Sequence, residues 1–371
     1  MSYVLHGVDM SWSCGIIGLP NSGKSTIFNA LTTLTVPCQP YPFCTIEPNV
    51  GIVAVPDERL VKLAEILKPE KVTLTTIEFI DVAGLIKDAH KGEGLGNKFL
   101  SHIRNVDAIA HVIRCFDTKN VPHVYSEIDP KRDMEIVETE IIISDLEIVE
   151  DRLKKLDRLA KVSKEKGTQE RELLFRVKAT LERSSFVNVD EFDHSEKEMV
   201  YSFNLITTKP IFYVANIDEE SLGDLPIAPL EELVRSKGSR LVYICGKLEQ
   251  DLIDLSMDER NSYMDLNGMT KMSIEKVIKV GYEMLGLITF YTIVGKEMRA
   301  WTIPRNTTCV KAAGKIHTDM ERGFIKAEVI NANDFVHYGS EHAAREKGSL
   351  RMEGKEYIVK DGDILHIRFN V

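Results

Sequence analysis

The stretch Gly18-Leu19-Pro20-Asn21-Ser22-Gly23-Lys24-Ser25-Thr26 decides the fold class. Gly18, Gly23, Lys24 and Ser25 fill the phosphate-loop pattern G-x-x-x-x-G-K-[ST] without exception. Before it comes a short apolar run, Cys14-Gly15-Ile16-Ile17, and after it Ile27-Phe28-Asn29-Ala30-Leu31 has helical apolar spacing. Strand, glycine loop and helix in this order form the context that gives the motif meaning. Glycines let backbone N–H groups curl around an anion, and a helix N-terminus adds a favourable dipole. The reading is a nucleoside triphosphate site in which Asn21, Ser22, Gly23, Lys24, Ser25 and Thr26 surround the phosphates. Lys24 reaches the β- and γ-phosphates, and the Ser25 hydroxyl ligates Mg²⁺. The alternative is a chance glycine turn, which the full match and its flanks disfavour.

Composition narrows the setting. A chain of 371 residues with 43% apolar and 28% charged residues has room for two or three domains with real cores. No apolar run is long enough to span a bilayer, and no signal-peptide pattern opens the chain, so the expected location is the cytoplasm, away from membranes. The six cysteines contain no C-x-x-C pair and read as reduced thiols. A net charge of −10 argues against general nucleic-acid affinity. The charge is uneven, however: residues 133–151 hold eight acids and no Lys or Arg, whereas residues 152–183 hold eleven Lys/Arg against five acids. Such an asymmetry suggests a far end that meets a polyanion, the alternative being a solvated helical surface.

That charged segment also has its own periodicity. Ile142, Leu146, Val149, Leu153, Leu156 and Ala160 follow the spacing of a coiled-coil seam, Gly167 breaks the run, and Leu174, Val177 and Leu181 resume it. The expectation is a helical hairpin with a basic tip, inserted over residues 133–200. Around it, strand-like runs at 75–80, 108–114, 211–215 and 241–245 are each followed by a turn and a helix-like segment, the pattern of a mostly parallel, doubly wound α/β sheet. From residue 288 the texture changes to short alternating strands around one modest helix, the mark of a small α+β domain. The expected division is therefore 11–132 with 201–287, then 133–200, then 288–371.

Kinases, motors and GTPases share a phosphate loop, so later motifs must separate them. The apolar run 77–80 ends in Asp81-Val82-Ala83-Gly84, a D-x-x-G pattern. Asp81 at a strand end can hold Mg²⁺ through water, and the Gly84 N–H can contact the γ-phosphate and sense its presence. Between the motifs lies Tyr41-Pro42-Phe43-Cys44-Thr45, where Thr45 can complete the Mg²⁺ shell; an ordinary loop threonine is the alternative. At this point the sequence resembles the Obg-like ATPase (YchF) family of P-loop proteins, through residues 18–26, 41–51 (YPFCTIEPNVG), 81–85, 92–100 (GEGLGNKFL) and the final domain. The resemblance implies a G domain, a coiled-coil insertion and a C-terminal TGS domain of β-grasp type.

Two departures from ordinary GTPases matter. Guanine is normally read by N-K-x-D, but here the strand at 211–215 leads into Asn216-Ile217-Asp218-Glu219. The lysine position is Ile217, and Glu219 is one methylene longer than Asp. Loss of bidentate geometry to guanine removes about 1–3 kcal/mol, enough to erase base preference. The resemblance implies ATP preferred over GTP; a shifted loop offering the Asp218 carboxylate would instead favour GTP. Secondly, the residue after D-x-x-G is Leu85, which cannot orient water. The resemblance points to His123 for that role, with an ordinary loop histidine as the equal alternative, and to Asn21 as a residue that can help hold K⁺ beside the phosphates. Gly92-Glu93-Gly94-Leu95-Gly96-Asn97 fits a glycine-rich switch better than a dinucleotide fingerprint, since no first strand precedes it. Gly246 and Lys247, after the strand ending near Cys245, lie where the fifth GTPase loop backs the base; a structural turn explains Gly246 equally well.

The combined expectation is a slow, Mg²⁺-dependent triphosphatase acting as a monomeric switch, with Lys24, Thr45 and His123 nearest the chemistry. Its partner would be the ribosome or RNA, reached through the basic tip and the TGS domain. A scaffold with a barely hydrolysed nucleotide and a small-molecule kinase are the rival classes. The D-x-x-G motif and the missing lid disfavour the second.

Overall fold

The computed structural model describes residues 2–4, 12–33, 50–82, 95–118, 121–125, 127–160, 168–219, 227–267, 269 and 271–370. Its strands in chain order are β1 (Ser2–Val4), β2 (Ser13–Ile17), β3 (Val50–Ala54), β4 (Lys71–Thr73), β5 (Thr76–Asp81), β6 (Ala108–Cys115) and β7 (Ile211–Ile217). They continue with β8 (Leu241–Ile244), β9 (Leu287–Val294), β10 (Glu297–Pro304), β11 (Phe324–Asn331), β12 (Arg351–Glu353) and β13 (Asp363–Phe369). The helices needed below are α1 (Lys24–Thr33), α2 (Glu58–Leu67), α3 (Leu95–Arg104), α4 (Pro130–Ala160), α5 (Thr168–Glu182), α6 (His194–Ser202), α7 (Ala228–Ser236) and α8 (Gly246–Asp254). Contacts divide the chain into two compact units: Ser13–Ala30 with Ile80–Gly268, and Met1–Trp12 with Leu31–Phe79 and Met269–Val371. This partition places 31–79 with the C-terminal region, a grouping that local sequence pattern does not reveal.

The first unit is built on a parallel sheet. Cys14 pairs with Ala108, Ile109 with Ile211, and Tyr213 with Leu241, so β2, β6, β7 and β8 run in one direction in that order. Every residue of β6 and β7 is buried. That is why these strands read as continuous apolar runs: crossover helices cover both faces of a parallel sheet. Ile17, Ile109, Ile113, Tyr213 and Ala215 pack with Met134, Val137 and Ile141 of α4 in one core.

The helical hairpin forms as the periodicity predicts, with α4 and α5 packed together. Val149, Leu153, Leu174, Val177 and Leu181 are buried in its seam, while Leu146 and Leu156 are half-buried. Leu173 joins them, and Phe192, Val200 and Phe203 from the α6 region close over the pair. The acidic half of α4 is more than a solvated face. Asp145 is fully buried, taking Arg104 Nη1 at 2.7 Å on one oxygen and Thr207 N and Oγ1 at 2.7 and 2.8 Å on the other. Glu138 accepts from Tyr213 Oη at 2.5 Å and Lys237 Nζ at 2.9 Å. Charge on this helix thus anchors it to the sheet as well as solvating it.

In the second unit a mixed sheet runs β1-β4-β10-β9-β13-β11-β12. β9 and β10 form an antiparallel hairpin, and β4 pairs in parallel with β10, Met298 opposite Val72. The three-residue β4 has too little local signal to be recognised alone; a partner more than 200 residues away creates it. Leu60, Leu63 and Ala64 of α2 are buried with Tyr291, Met298, Ile330 and Phe335, a second layer on this sheet. Among the described residues no helix is long and apolar enough to cross a membrane.

Candidate functional site

β2 runs buried to Ile17, and the chain then turns sharply into α1. Glycine is required at two points of that turn. Gly18 has φ +150°, and a Cβ there would lie 2.3 Å from the Val112 carbonyl oxygen. Gly23 has φ +92°, and a Cβ there would lie 2.1 Å from Asn216 Nδ2. Asn21 takes a left-handed φ of 62°, which Asn tolerates better than most residues. The first-turn N–H groups of α1, which begins at Lys24, have no acceptor in their own helix and so offer an anion a cradle.

The polar side chains around this cradle are incompletely matched. Lys24 is buried, donates to the Leu19 carbonyl at 2.8 Å, and its ammonium is pulled down to about 8 by burial, partly offset by Asp81. Ser25 Oγ donates to Asp81 Oδ2 at 2.9 Å, so the strand end and the helix start bring together two of the expected metal ligands. Asp81 Oδ1 and Ser22 Oγ are buried and accept or donate no hydrogen bond. A free carboxylate oxygen beside a hydroxyl suits a hard cation such as Mg²⁺. Thr45, Gly84 and Leu85 lie outside the described residues, as do Gly92, Glu93 and Gly94 of the glycine-rich segment.

Asn216, at the C-terminal part of β7, holds two loops together. Its Nδ2 donates to the Ser22 carbonyl at 2.9 Å and its Oδ1 accepts from Gly246 N–H at 3.0 Å. Gly246 opens α8, and a Cβ there would sit 3.2 Å from Asn216 Oδ1 and 3.3 Å from an Ile27 carbon, which supplies a structural reason for the glycine. Ile217 points into the core rather than toward a ligand. Asp218 is half-buried, while Glu219 and Lys247 are exposed. Burial raises the Cys245 thiol, and the nearby Glu219 and Asp218 add to the rise, so both acids approach the start of α8.

His123 sits in a small crevice behind the phosphate loop, lined also by Leu19, Pro20, Ser22, His111, Arg114 and Asp133. Its ring is buried. Tyr125 N–H donates to Nδ1 at 3.1 Å, so Nε2 carries the proton and donates to Asp133 Oδ2 at 2.7 Å. The preceding residue is clamped as well: the Pro122 carbonyl accepts from Asn21 Nδ2 at 3.1 Å and from Arg114 Nη1 at 3.2 Å. An imidazole expected to meet water thus has both nitrogens engaged. Sequence reasoning missed Asp133, submerged in an acidic run, and His111, the one imidazole in the apolar strand β6. His111 is fully buried with neither nitrogen bonded, and burial together with Lys24 pulls it down to about 3.

The basic tip also needs one correction. Arg152 pairs with Glu170 at 2.7 Å and stacks 4.6 Å from the Phe203 ring centroid, so it braces the hairpin. Lys154, Lys155 and Arg158 are exposed, and Lys161, Lys164 and Lys166 lie outside the described residues.

A glycine loop between a parallel strand and a helix, with a Lys–Ser pair facing an Asp at the next strand end, defines a nucleoside triphosphatase of the P-loop GTPase class. A family model described as a 50S ribosome-binding GTPase matches residues 13–150, and one for the YchF C-terminal region, described as a protein of unknown function, matches residues 287–370. The chain belongs to the YchF family. It is 44% identical to the ribosome-binding ATPase YchF of Pasteurella multocida and 43% identical to that of Bacillus subtilis, in each case over 98% of this chain and all of the relative. The solved structure of the Schizosaccharomyces pombe YchF GTPase matches with a TM-score of 0.85 at 35% identity, over 96% of this chain and 98% of that one.

Proposed function

We propose that the protein is a slow Mg²⁺-dependent switch that hydrolyses ATP in preference to GTP and reports its nucleotide state to the ribosome. The observation that carries the reading is the Ser25–Asp81 pair below the phosphate loop, with Asp81 Oδ1 left free. Ser25 and Asp81, completed by Thr45, would hold Mg²⁺, which neutralises phosphate charge when bound. Lys24 leaves the Leu19 carbonyl for phosphate oxygens, and the α1 N–H groups bind the rest of the chain of phosphates.

The preference for ATP rests on the base side. Asn216 is committed to the loops and Ile217 to the core, so the lysine of N-K-x-D has no counterpart at position 217, and an exposed Glu219 replaces the shorter aspartate. Slow turnover follows from Leu85 and from the engagement of both His123 nitrogens. Partner choice rests on the relatives' names, which include ribosome binding, and on the exposed Lys154, Lys155 and Arg158 of the hairpin.

Turnover of ATP and GTP, each with and without ribosomes, tests the whole reading. ATP turnover that is slow alone and rises with ribosomes is expected. GTP binding tenfold tighter than ATP would reverse the nucleotide assignment, and no turnover under any condition would make the protein a nucleotide-bound scaffold. Neutralising Lys154, Lys155 and Arg158 together should weaken ribosome co-sedimentation and flatten its salt dependence.

A further inference from the structure

The geometry points to Asp133, in the first turn of α4, as a latch that holds His123 out of action. The inference rests on the reading above in which His123 orients the attacking water. Three observations carry it. The tautomer is fixed, because Tyr125 N–H occupies Nδ1 and only Nε2–H remains to donate. Asp133 is itself held, its second oxygen accepting from Arg132 Nη2 at 2.9 Å and Nε at 3.2 Å, so the carboxylate cannot follow the imidazole if the latter swings away. Both partners are almost wholly buried, 3% and 4% exposed, where a charge-assisted bond is strong.

A histidine in this state cannot accept a proton or a hydrogen bond from water at either nitrogen. To act, it must break the bond to Asp133 or surrender the Tyr125 amide. The first is the simpler path, since Tyr125 lies two residues along the same loop and moves with it. The phosphate-loop residue Asn21 holds the same loop at the Pro122 carbonyl, so nucleotide binding and latch release share one segment of backbone. The contact is autoinhibitory: it keeps the free protein from spending nucleotide, and a partner that loosens the first turn of α4 removes the restraint. Asp133 is a positioning residue, acting only through His123.

Steady-state MgATP turnover of the full chain, its Asp133→Ala and His123→Ala variants and the double variant tests this. Asp133→Ala should raise kcat about tenfold, the weight of one charge-assisted bond, with nucleotide affinity little changed. The double variant should fall back to the rate of His123→Ala. In the unaltered protein the ring Nε2–H of His123 should exchange slowly with solvent by NMR, and Asp133→Ala should abolish that protection. Asp133→Asn retains an acceptor for Nε2–H but removes the negative charge that strengthens both that bond and the Arg132 pair, so a smaller rise is expected; it serves if the alanine variant does not fold. If the Asp133 variants fold, bind nucleotide and show no rise while His123→Ala slows turnover, the latch is overturned and the catalytic reading stands. A gain that persists without His123 also overturns the latch. If His123→Ala leaves turnover unchanged both in the parent and in the Asp133→Ala background, both readings fall together.

Discussion

The phosphate-loop pocket and the Asp57–Arg59–Asp361 cluster of the C-terminal unit both gather charged side chains, with Asp57 mostly buried and Asp361 half exposed, yet they are finished to different degrees. In the cluster every charge finds its complement. Asp57 caps α2 through Arg59 N–H at 3.0 Å, takes Arg59 Nε and Nη2 at 2.9 Å each, and accepts from the Tyr291 hydroxyl. Arg59 then reaches Asp361 at 2.7 Å, whose other oxygen accepts Thr289 N–H at 2.9 Å. Burial alone would raise the Asp57 carboxyl, but Arg59 and Tyr291 together outweigh it and hold it below its usual range. In the pocket, Ser22 Oγ, Asp81 Oδ1 and both His111 nitrogens lack partners, and Lys24 donates to one carbonyl while burial lowers its proton affinity. An unmatched buried polar atom costs about 1–3 kcal/mol, so evolution keeps several together only where something else will match them. The cluster is a brace, whereas these buried polar atoms of the pocket find no match among the described residues.

Replacing Lys24 with Met gives the sharpest contrast between the two. Nucleotide affinity should fall by at least about a hundredfold, because a charge-assisted phosphate contact disappears. The unliganded protein should become more stable, by up to about 3 kcal/mol, since an ammonium pulled from 10.5 to about 8 by burial is removed. Parallel nucleotide titration and urea unfolding check both signs, and a destabilised Lys24→Met would erase the distinction. Arg59→Ala should behave oppositely. It leaves Asp57 and Asp361 without their shared cation and should lower stability by about 2–3 kcal/mol. Nucleotide affinity should stay within about twofold, because no ligand contact is lost. Asn216→Ala tests a residue that belongs to both categories. Losing its bonds to Ser22 and Gly246 should lower stability by about 1–2 kcal/mol and loosen the loop enough to weaken nucleotide binding several-fold. If only one of the two measurements moves, Asn216 is either brace or ligand group, but not the hinge between them.

What could be read in the sequence divides along the same line. The phosphate loop, Asp81 and the buried strands were legible because each is a local pattern: a fixed spacing, a run of apolar residues, a heptad seam in α4. The hairpin was legible for the same reason, and even Leu173 was missed only because it lies one residue off the expected stripe. The brace was not legible. Asp57 and Arg59 lie two residues apart at the start of α2, but Tyr291 and Asp361 are more than 200 positions away and nothing local marks their pairing with them. The grouping of α2 and β4 with the C-terminal sheet was illegible for that reason too, since they join it through long-range pairing. Asn216 shows an intermediate case: its place after β7 was clear, but its partners Ser22 and Gly246 emerge only when three loops meet. The state of His123 was hidden entirely, since whether an imidazole faces water or a carboxylate depends on the neighbouring helix.

The smallest effect expected is also the cleanest discriminator. If the Lys24 ammonium of the free protein titrates at about 8, it is largely charged at pH 7 and largely neutral above pH 8.5. Phosphates bind the charged form and hold its proton, so the complex titrates at higher pH than the free protein. Between those limits binding takes up a proton, and the dissociation constant must therefore rise with pH, by about fourfold from pH 7 to pH 8.5. Stability of the unliganded protein moves the other way. The unfolded chain keeps the lysine proton up to its ordinary 10.5 while the native state releases it near 8, so the unfolded state binds more protons across that window and stability rises with pH. Lys24→Arg carries a charge that does not titrate in this range and should show a flat affinity profile. Opposed trends that vanish together in Lys24→Arg would tie both to one buried proton, whereas an affinity that is flat in the parent would mean that Lys24 is already fully charged before nucleotide arrives. The pocket would then differ from the brace in its missing partners alone, and not in the protonation of its cation.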